Sequence, residues 1–572
     1  MNLFSITLLA VVLANVSSTV LRGSAQGESQ NHHRHLSQTT TCRLYIEDIQ
    51  YKTNNDRTSD TWVCELPKED SRMLGGLQYL EIEGTESIME HAVPGESTMT
   101  LSKAIVDIED PKIYIPAGGL IEVRNNPRGT DTTRVDRDLG GKTGVLTTLV
   151  IRISDSNGIA PTSDVSQLEN DFFDDESCLK TRYKACSYGK LEIEPFSGIT
   201  ETGVKVNNGV VDVKINFDLS INNHRNMLQQ AAVADAIDQL GDLDTYDLVA
   251  FVFPPGTGDW LAYAFVGGMF SFYNNEAASS VSVQVHEVGH NLGLAHSGDE
   301  GGSNYGDQTG YMGASYGADD MNLCFNPAKN YQLGWYDDKV TTVNPLDSEP
   351  VKEFILNGVA DYNGNDDALI VVRLQQMASD QDYYIGYNRQ AGINEDTYED
   401  KNLVTIVRKE KGLPTEYGES KKVASLFLGQ SYVIENFNGE RGRHVEIKFA
   451  TVSNGNEDIR DAAIEVIDVY NRPETPTPTP LECEMHTIEI TTDDYPEDNR
   501  FVILDNELGT MVAQGPGMTQ KRTLYTTELC LPYNKSYKFI LYDQFEDGIC
   551  CQQGPGSYRA LDSQGNVLFS RV

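Results

Sequence analysis

The chain has 572 residues, of which 39% are hydrophobic and 9% aromatic, and its formal net charge is −40. A chain of this length is expected to fold into about three or four domains with packed cores. The acidity argues against nucleic-acid binding, which needs basic patches, and no apolar run reaches the roughly 20 residues that span a membrane.

The first 25 residues are predicted to be a secretory signal peptide. Leu3–Ala14 is an apolar run, and small polar residues follow it, with Gly23–Ala25 as a candidate cleavage site. Nine cysteines fit an oxidising compartment. We therefore expect a secreted, extracellular protein.

Residues 26–137 are predicted to form a β-rich N-terminal segment. Runs such as Arg43–Ile49 alternate between apolar and polar residues or are β-branched, which is typical of strands. Thr130–Lys142 is polar and glycine-rich and contains Arg134 and Arg137. We expect a domain boundary and a proteolytic processing site in this stretch.

Residues 138–340 are predicted to combine strands and helices in one domain. Val145–Ile153 is a continuous β-branched run that fits a buried strand, and Cys178–Cys186 brackets a predicted loop. Apolar residues at helical spacing predict an amphipathic helix over His224–Leu240. Ala262–Tyr273 is predicted to be an edge strand.

A predicted helix over Ala277–Leu292 carries the residues that point to chemistry. His286 and His290 are four positions apart, so they share one helix face and can bind one metal ion. Glu287 lies beside them as a candidate base. These residue types at this spacing predict a catalytic metal site.

The third histidine of this stretch is His296. On a continuous helix it would lie about 15 Å from His286, whereas zinc needs each ligand nitrogen at about 2.0–2.1 Å. The helix must therefore end before His296, and Gly293 is the residue that permits a left-handed cap there. Three unrelated histidines are the alternative, but the pattern arises by chance only on the order of 10⁻⁵ times per chain.

The pattern His286-Glu-x-x-His-x-x-Gly-x-x-His296 resembles the long zinc signature of the metzincin peptidases. Two further segments, Tyr305–Gly313 and Cys324–Trp335, make the chain similar to the gametolysin-like family of secreted peptidases. The resemblance implies an α+β fold. By the same resemblance we expect a metzincin-type catalytic domain, which is a twisted mixed sheet with an active-site helix. A β-rich N-terminal pro-segment and C-terminal β-sandwich domains are expected to flank it.

The resemblance also implies the roles of individual residues. One catalytic Zn²⁺ is expected on His286, His290 and His296, with Glu287 as the general base for a metal-activated water. Met312 is expected to form the methionine turn beneath the metal. Tyr311 and Tyr316 flank this methionine and are candidates for oxyanion stabilisation, although packed structural tyrosines are the default for both.

Secreted peptidases of this family are made latent, so the resemblance makes residues 26–137 a pro-segment. Cys64 is a candidate for blocking zinc as a thiolate. A disulfide between Cys64 and Cys42 is the alternative that we favour. The acidic loop after His296, with Asp299, Glu300 and Asp307, either holds a structural Ca²⁺ or, as we favour, is simply solvated.

The rest of the chain is predicted to be β-rich. Short strands with turn signals predict a β-sandwich over residues 341–470, and the proline- and threonine-rich residues 471–481 predict an extended linker. Residues 482–572 are predicted to form a cysteine-bearing β module, either a ligand-free structural domain or one that binds a polysaccharide or cell-surface ligand. Asn534 is a candidate glycosylation site.

Three disulfides are expected besides the Cys42–Cys64 pair, although sequence alone does not fix the connectivity and the local pairs are the safer predictions. Cys178 is paired with Cys186, and two bridges are expected among Cys483, Cys530, Cys550 and Cys551. Cys324 is then left over.

Together these features predict a secreted, monomeric zinc endopeptidase. By resemblance its substrates are proteins of the extracellular matrix or cell wall. The alternative is a catalytically inactive extracellular binding or matrix protein that uses its C-terminal module. A metal-dependent hydrolase acting on non-peptide bonds is a third interpretation, because zinc ligands alone do not fix the substrate.

Overall fold

The computed structural model shows a mixed α+β chain with many strands and few helices, which confirms the predicted α+β class. It describes residues 33–571 except for 37–38, 53–57, 84–88, 90–91, 117–118, 126–141, 222–223, 314–320, 348, 363–366, 412–416, 455–459, 473–482, 507–510, 534, 544–547 and 552. Within these described ranges no helix is both long enough and apolar enough to cross a bilayer. The predicted signal peptide and processing site lie outside them.

The chain divides into two compact units. The first comprises Met1–His296 with the short segments Tyr316–Met321 and Gly412–Glu419. The second comprises the remainder of the chain from Ser297 onward. Since the first unit ends its long segment at His296, all three histidines of the signature belong to it.

A 14-stranded sheet runs through the first unit. Its strands are His33–His35, Thr40–Tyr51, Thr58–Glu65, Tyr79–Ile82, Ser97–Ser102, Ile105–Asp107, Lys112–Tyr114, Leu120–Asn125, Gly144–Ser154, Leu191–Pro195, Val210–Lys214, Leu248–Phe253, Trp260–Val266 and Phe270–Asn274. A separate small sheet pairs Gly198–Ile199 with Lys205–Val206. The helices of this unit are Lys68–Met73, Val165–Glu169, Leu179–Cys186, Arg225–Leu240 and Val281–Asn291.

Strand Gly144–Ser154 lies at the centre of the half of this sheet that residues 144–274 form. It pairs in parallel with Leu191–Pro195, Val210–Lys214 and Leu248–Phe253. Its apolar side chains from Leu146 to Ile153 are buried, as the continuous hydrophobic run predicts for a parallel strand covered on both faces, whereas Val145 is exposed. The order of strands then continues through Phe270–Asn274 to Trp260–Val266.

Two local predictions in this unit are wrong. The predicted edge strand Ala262–Tyr273 is two antiparallel strands, because the chain turns at Gly267, whose φ is +71°. The predicted loop between Cys178 and Cys186 is the helix Leu179–Cys186. The first prediction passed over the turn at Gly267, and the second passed over a helix between two cysteines.

Two antiparallel strands join the N-terminal segment to the half of the sheet that residues 144–274 form. We call Thr40–Tyr51 the N-terminal strand and Trp260–Val266 the edge strand. Tyr51 pairs with Trp260, and Ile46 pairs with Val266. The N-terminal strand therefore covers the backbone edge that would otherwise end this half of the sheet, as an added strand does in peptide recognition.

The second unit is built from four sheets. A six-stranded sheet contains Ser297–Asp299, Val340–Val343, Val371–Leu374, Gln381–Asn388, Leu403–Glu410 and Ser420–Leu426, and a four-stranded sheet contains Val351–Leu356, Ser431–Ile434, Val445–Asn454 and Arg460–Asp468. Side chains of both sheets share one apolar core, and helix Pro327–Leu333 belongs to the same unit.

The C-terminal residues contribute the other two sheets. One contains Cys483–Thr491, Leu524–Pro532, Ser557–Leu561 and Val567–Arg571, and the other contains Asn499–Asp505, Met511–Gln514 and Tyr537–Asp543. Their inward side chains, among them Ile490, Phe501 and Ile503, form a core of their own.

Candidate metal centre

The helix that carries the first two histidines, Val281–Asn291, is the histidine helix. All eleven of its residues are buried. It ends with two crossed hydrogen bonds, from the Leu294 amide to the Gly289 carbonyl at 3.0 Å and from the Gly293 amide to the His290 carbonyl at 2.8 Å. Gly293 has a φ of +83°, so this end is a left-handed glycine cap of the kind the sequence predicts.

The cap turns the chain back and brings His296 to the first two histidines. One ligand atom from each of His286, His290 and His296 lies within 4.8 Å of the other two. The nearest imidazole nitrogens of His286 and His290 are 3.0 Å apart. Tetrahedral zinc at about 2.0–2.1 Å from each nitrogen needs about 3.3 Å between them, so the donor set fits such an ion after a small separation of the rings.

A backbone carbonyl orients His290. Its Nδ1 lies 2.9 Å from the Leu294 carbonyl oxygen. Because that oxygen only accepts, Nδ1 carries the proton and the lone pair of Nε2 faces the other two imidazoles. This is the support that metal-binding histidines usually have, and it follows directly from the cap that ends the helix.

Glu287 lies on the same helix with its carboxylate in the interior. It is fully buried, and neither carboxylate oxygen has a hydrogen-bond partner among the residues that the structure describes. Burial raises the pKa of this carboxyl well above its ordinary value. A desolvated carboxyl without a partner is costly unless a cation or a reacting water completes the site, so Glu287 also fits a metal centre.

The N-terminal strand contributes two side chains that the sequence analysis did not identify. Oδ2 of Asp48 lies 3.1 Å from Nε2 of His296 and 3.6 Å from Nε2 of His290. The amide nitrogen of Gln50 lies 2.7 Å from Nε2 of His286. Nothing in the local pattern connects these residues to a motif more than 200 positions away, since only the sheet pairing brings them together.

The methionine and the two tyrosines lie on the segment that follows His296. Met312 and Tyr311 are buried, and the Met312 carbonyl accepts a hydrogen bond from the Ser297 amide at 2.8 Å. The Tyr311 ring packs against Phe325. Tyr316 lies outside the described residues. The roles of these three residues at the metal remain predictions.

The acidic residues after His296 are not gathered into one cluster. Glu300 forms an ion pair with Arg408, and Asp307 accepts hydrogen bonds from Thr309 and Asn326. Among the described residues the three histidines form the one group of three or more histidine, cysteine or acidic side chains at metal-binding distance. Asp307 is buried, so this loop is not simply solvated, and calcium binding there remains a prediction.

The cysteines follow the predictions in part. Disulfides join Cys42 to Cys64, Cys483 to Cys530 and Cys550 to Cys551. The predicted Cys178–Cys186 bridge is wrong: Cys178 is a buried free thiol. These two residues lie at opposite ends of a helix, about 12 Å apart by its rise, whereas a disulfide needs Cα atoms within about 7 Å.

Cys186 and Cys324 are both disulfide-bonded, so Cys324 is not the unpaired residue that the sequence analysis expected. Local spacing favoured the wrong pair because it assumed a loop where the chain forms a helix. Asn534, the candidate glycosylation site, lies outside the described residues.

Three buried histidines, two of them on the same helix as a buried carboxylate, form the arrangement of a metal-dependent hydrolase. Residues 146–396 match the family model described as gametolysin peptidase M11. This match includes every residue of the triad and supports a gametolysin-like metallopeptidase. The comparison with curated proteins gave no match.

Proposed function

We propose that the protein is a secreted zinc-dependent endopeptidase that cleaves proteins of the extracellular matrix or cell wall. The observation that carries this proposal is the meeting of His286, His290 and His296 beside Glu287, in the region that matches a metallopeptidase family. Zinc is proposed because three imidazoles with one open position are the donor set of a catalytic zinc site.

The proposed organisation follows the sequence boundaries. It comprises a signal peptide over residues 1–25, a pro-segment over 26–137, a catalytic domain over 138–340, a β-sandwich over 341–470, a linker over 471–481 and a disulfide-containing β module over 482–572. Secretion is supported by the apolar leader and by the disulfides.

The proposed chemistry divides between the metal and Glu287. A bound zinc ion supplies Lewis acidity toward water and the substrate carbonyl. Glu287 accepts the proton of the attacking water on its carboxylate and then delivers it to the departing amine. Its burial excludes bulk water from the carboxylate, and its raised pKa suits a group that must both take and release a proton.

The edge strand is proposed to bind the substrate. Its backbone lies next to the histidine helix in the fold, and an extended peptide can add to such an edge by main-chain hydrogen bonds. Since main-chain pairing is independent of side-chain identity, this mode suits a peptidase acting on many sequences. It also separates a peptidase from a hydrolase of small molecules, which needs no strand-shaped cleft.

Cleavage of casein tests the proposal. The secreted chain, trimmed after Arg137 and loaded with zinc, is compared with its Glu287→Ala variant. Cleavage by the first and not by the second supports the peptidase and the base together. If both bind zinc and neither cleaves casein or other unfolded proteins, the protein is an inactive binding protein, and the C-terminal module becomes the place to search for its ligand.

A further inference from the structure

We propose that Asp48 is a fourth protein ligand of the metal, so that the N-terminal strand fills the cleft as an internal, substrate-like occupant. This inference rests on the proposed metallopeptidase function. It adds a metal ligand from the N-terminal segment that the zinc signature does not contain. The group that keeps the enzyme latent is then the carboxylate of Asp48 and not the thiolate of Cys64.

The first argument is distance. Oδ2 of Asp48 lies 3.1 Å from Nε2 of His296 and 3.6 Å from Nε2 of His290. Atoms that share a tetrahedral zinc ion are about 3.3 Å apart, and carboxylate oxygen is an ordinary zinc ligand. The carboxylate is therefore at the spacing of a ligand that completes the coordination of three histidines, in the position that a catalytic site otherwise leaves to water.

The second argument is charge. Asp48 is 4% exposed, and its Oδ1 has no hydrogen-bond partner among the described side chains. The carboxylates of Asp60, Glu287 and Glu419 are the acidic groups whose charges act on Asp48. Among the described residues no lysine or arginine forms an ion pair with Asp48, and a buried carboxylate beside other acids is unfavourable by itself. A divalent cation between Asp48 and the imidazoles removes that cost.

The third argument is how the strand presents the residue. The N-terminal strand runs antiparallel to the edge strand, with Asp48 opposite Ala264. Side chains alternate along a strand, so Asp48 and Gln50 share one face, and both meet the imidazoles there. An extended polypeptide that pairs with the edge strand and directs a carboxylate to the metal competes directly with a peptide substrate.

The fourth argument is that the strand is held in place from its other face. The guanidinium of Arg225 donates two hydrogen bonds of 2.7 Å to the Glu47 carboxylate, one residue before Asp48. The disulfide between Cys42 and Cys64 fixes the N-terminal strand to its neighbour Thr58–Glu65. Because Cys64 is buried in that bridge, it is not available as a thiolate ligand.

Cobalt substitution tests the proposal on the full chain without relying on catalysis. Co²⁺ replaces zinc, and the visible absorption spectrum reports the ligands around it. In the unmodified chain we expect a spectrum that acetohydroxamate perturbs only weakly, because Asp48 occupies the fourth position. The Asp48→Ala variant is expected to bind acetohydroxamate about tenfold more tightly or better, and to lose Co²⁺ to a chelator faster.

The matched control is Asp60→Ala. Asp60 pairs with Asp48 in the register of the neighbouring strand, so this variant removes an adjacent carboxylate without removing the proposed ligand. Its cobalt spectrum and hydroxamate affinity are expected to stay those of the unmodified chain. Equal responses from both variants would show a general charge effect and overturn the assignment.

A second pair of variants, Asp48→Cys and Asp60→Cys, tests the proposal if Asp48→Ala does not fold. A thiolate bound to Co²⁺ produces an intense near-ultraviolet charge-transfer band, so Asp48→Cys is expected to show this band and Asp60→Cys is not. If the unmodified chain binds Co²⁺ but position 48 never alters its spectrum, this inference is wrong while the metal centre stands. If neither the full chain nor the trimmed chain binds Co²⁺, the proposed metallopeptidase function itself fails.

Discussion

The Glu47 carboxylate and the Arg225 guanidinium form a two-point ion pair, with both hydrogen bonds at 2.7 Å. Glu47 belongs to the N-terminal strand, and Arg225 is the first residue of helix Arg225–Leu240. The guanidinium also lies over the Tyr263 ring of the edge strand, 4.7 Å from its centre. Arg225 thus joins the N-terminal strand, the edge strand and helix Arg225–Leu240.

We expect Glu47→Gln to loosen the N-terminal strand. Removing one partner of a buried ion pair typically costs about 3–5 kcal/mol, and here it leaves Arg225 with only the more distant Glu81 carboxylate at 3.8 Å. Hydrogen exchange is expected to show faster exchange of the backbone amides over residues 46–49, which pair with the edge strand. Glu122→Gln, in the exposed pair with Arg124, is the control and is expected to leave these amides unchanged. Unchanged exchange in Glu47→Gln would show that the ion pair does not hold the strand.

Glu287→Gln is expected to abolish peptide cleavage without releasing the metal. The amide keeps the size of the side chain but cannot accept a proton, and loss of a general base typically lowers the rate by about 10²–10⁴-fold. Cleavage of casein and the zinc content of the purified trimmed chain are measured together. Glu276→Gln, an exposed glutamate just before the histidine helix, is the matched control. Retained cleavage in Glu287→Gln would remove its role as the base.

The sequence predicted the histidine helix and its end, but it did not predict the contact between the N-terminal strand and the histidines. The histidine spacing and Gly293 predict the helix, its end and the return of His296, because all three depend on local backbone geometry. The contact of Asp48 with His296 depends on a strand pairing across more than 200 residues. No periodicity within either strand specifies that pairing. The sequence around Asp48 therefore does not predict that this residue lies beside His296.

The two local disulfide predictions also differ in outcome. Cys42 and Cys64 lie on neighbouring antiparallel strands, where local spacing is a good guide to pairing. Cys178 and Cys186 are closer in sequence, yet the helix between them keeps them apart. The secondary structure of the intervening residues, rather than their number, decides whether a pair can form.

Cleavage of the chain between residues 126 and 141 is expected to release the N-terminal segment without reduction of disulfides. Both cysteines of the segment, Cys42 and Cys64, bond to each other, so no covalent link remains after the cut. Casein cleavage is expected to appear as the segment dissociates, because its strand then leaves the edge strand. Gel filtration of the cut chain, before and after mild denaturant and refolding, is compared with the activity of each fraction. Full activity in fractions that still contain the segment would contradict its proposed inhibitory role.

The last prediction concerns the stability of the second unit, where Lys422 is surrounded by acids. Its ammonium group contacts Asp400 at 2.6 Å, Asp307 at 3.7 Å and also Glu399, and its side chain is only 12% exposed. Lys422→Met is expected to lower the free energy of unfolding by about 3–5 kcal/mol, because three acids lose their shared cation. Thermal unfolding of the full chain measures the change, with Lys421→Met on the adjacent position as the control. If both variants unfold at the same temperature as the unmodified chain, Lys422 makes no net contribution to the stability of the second unit.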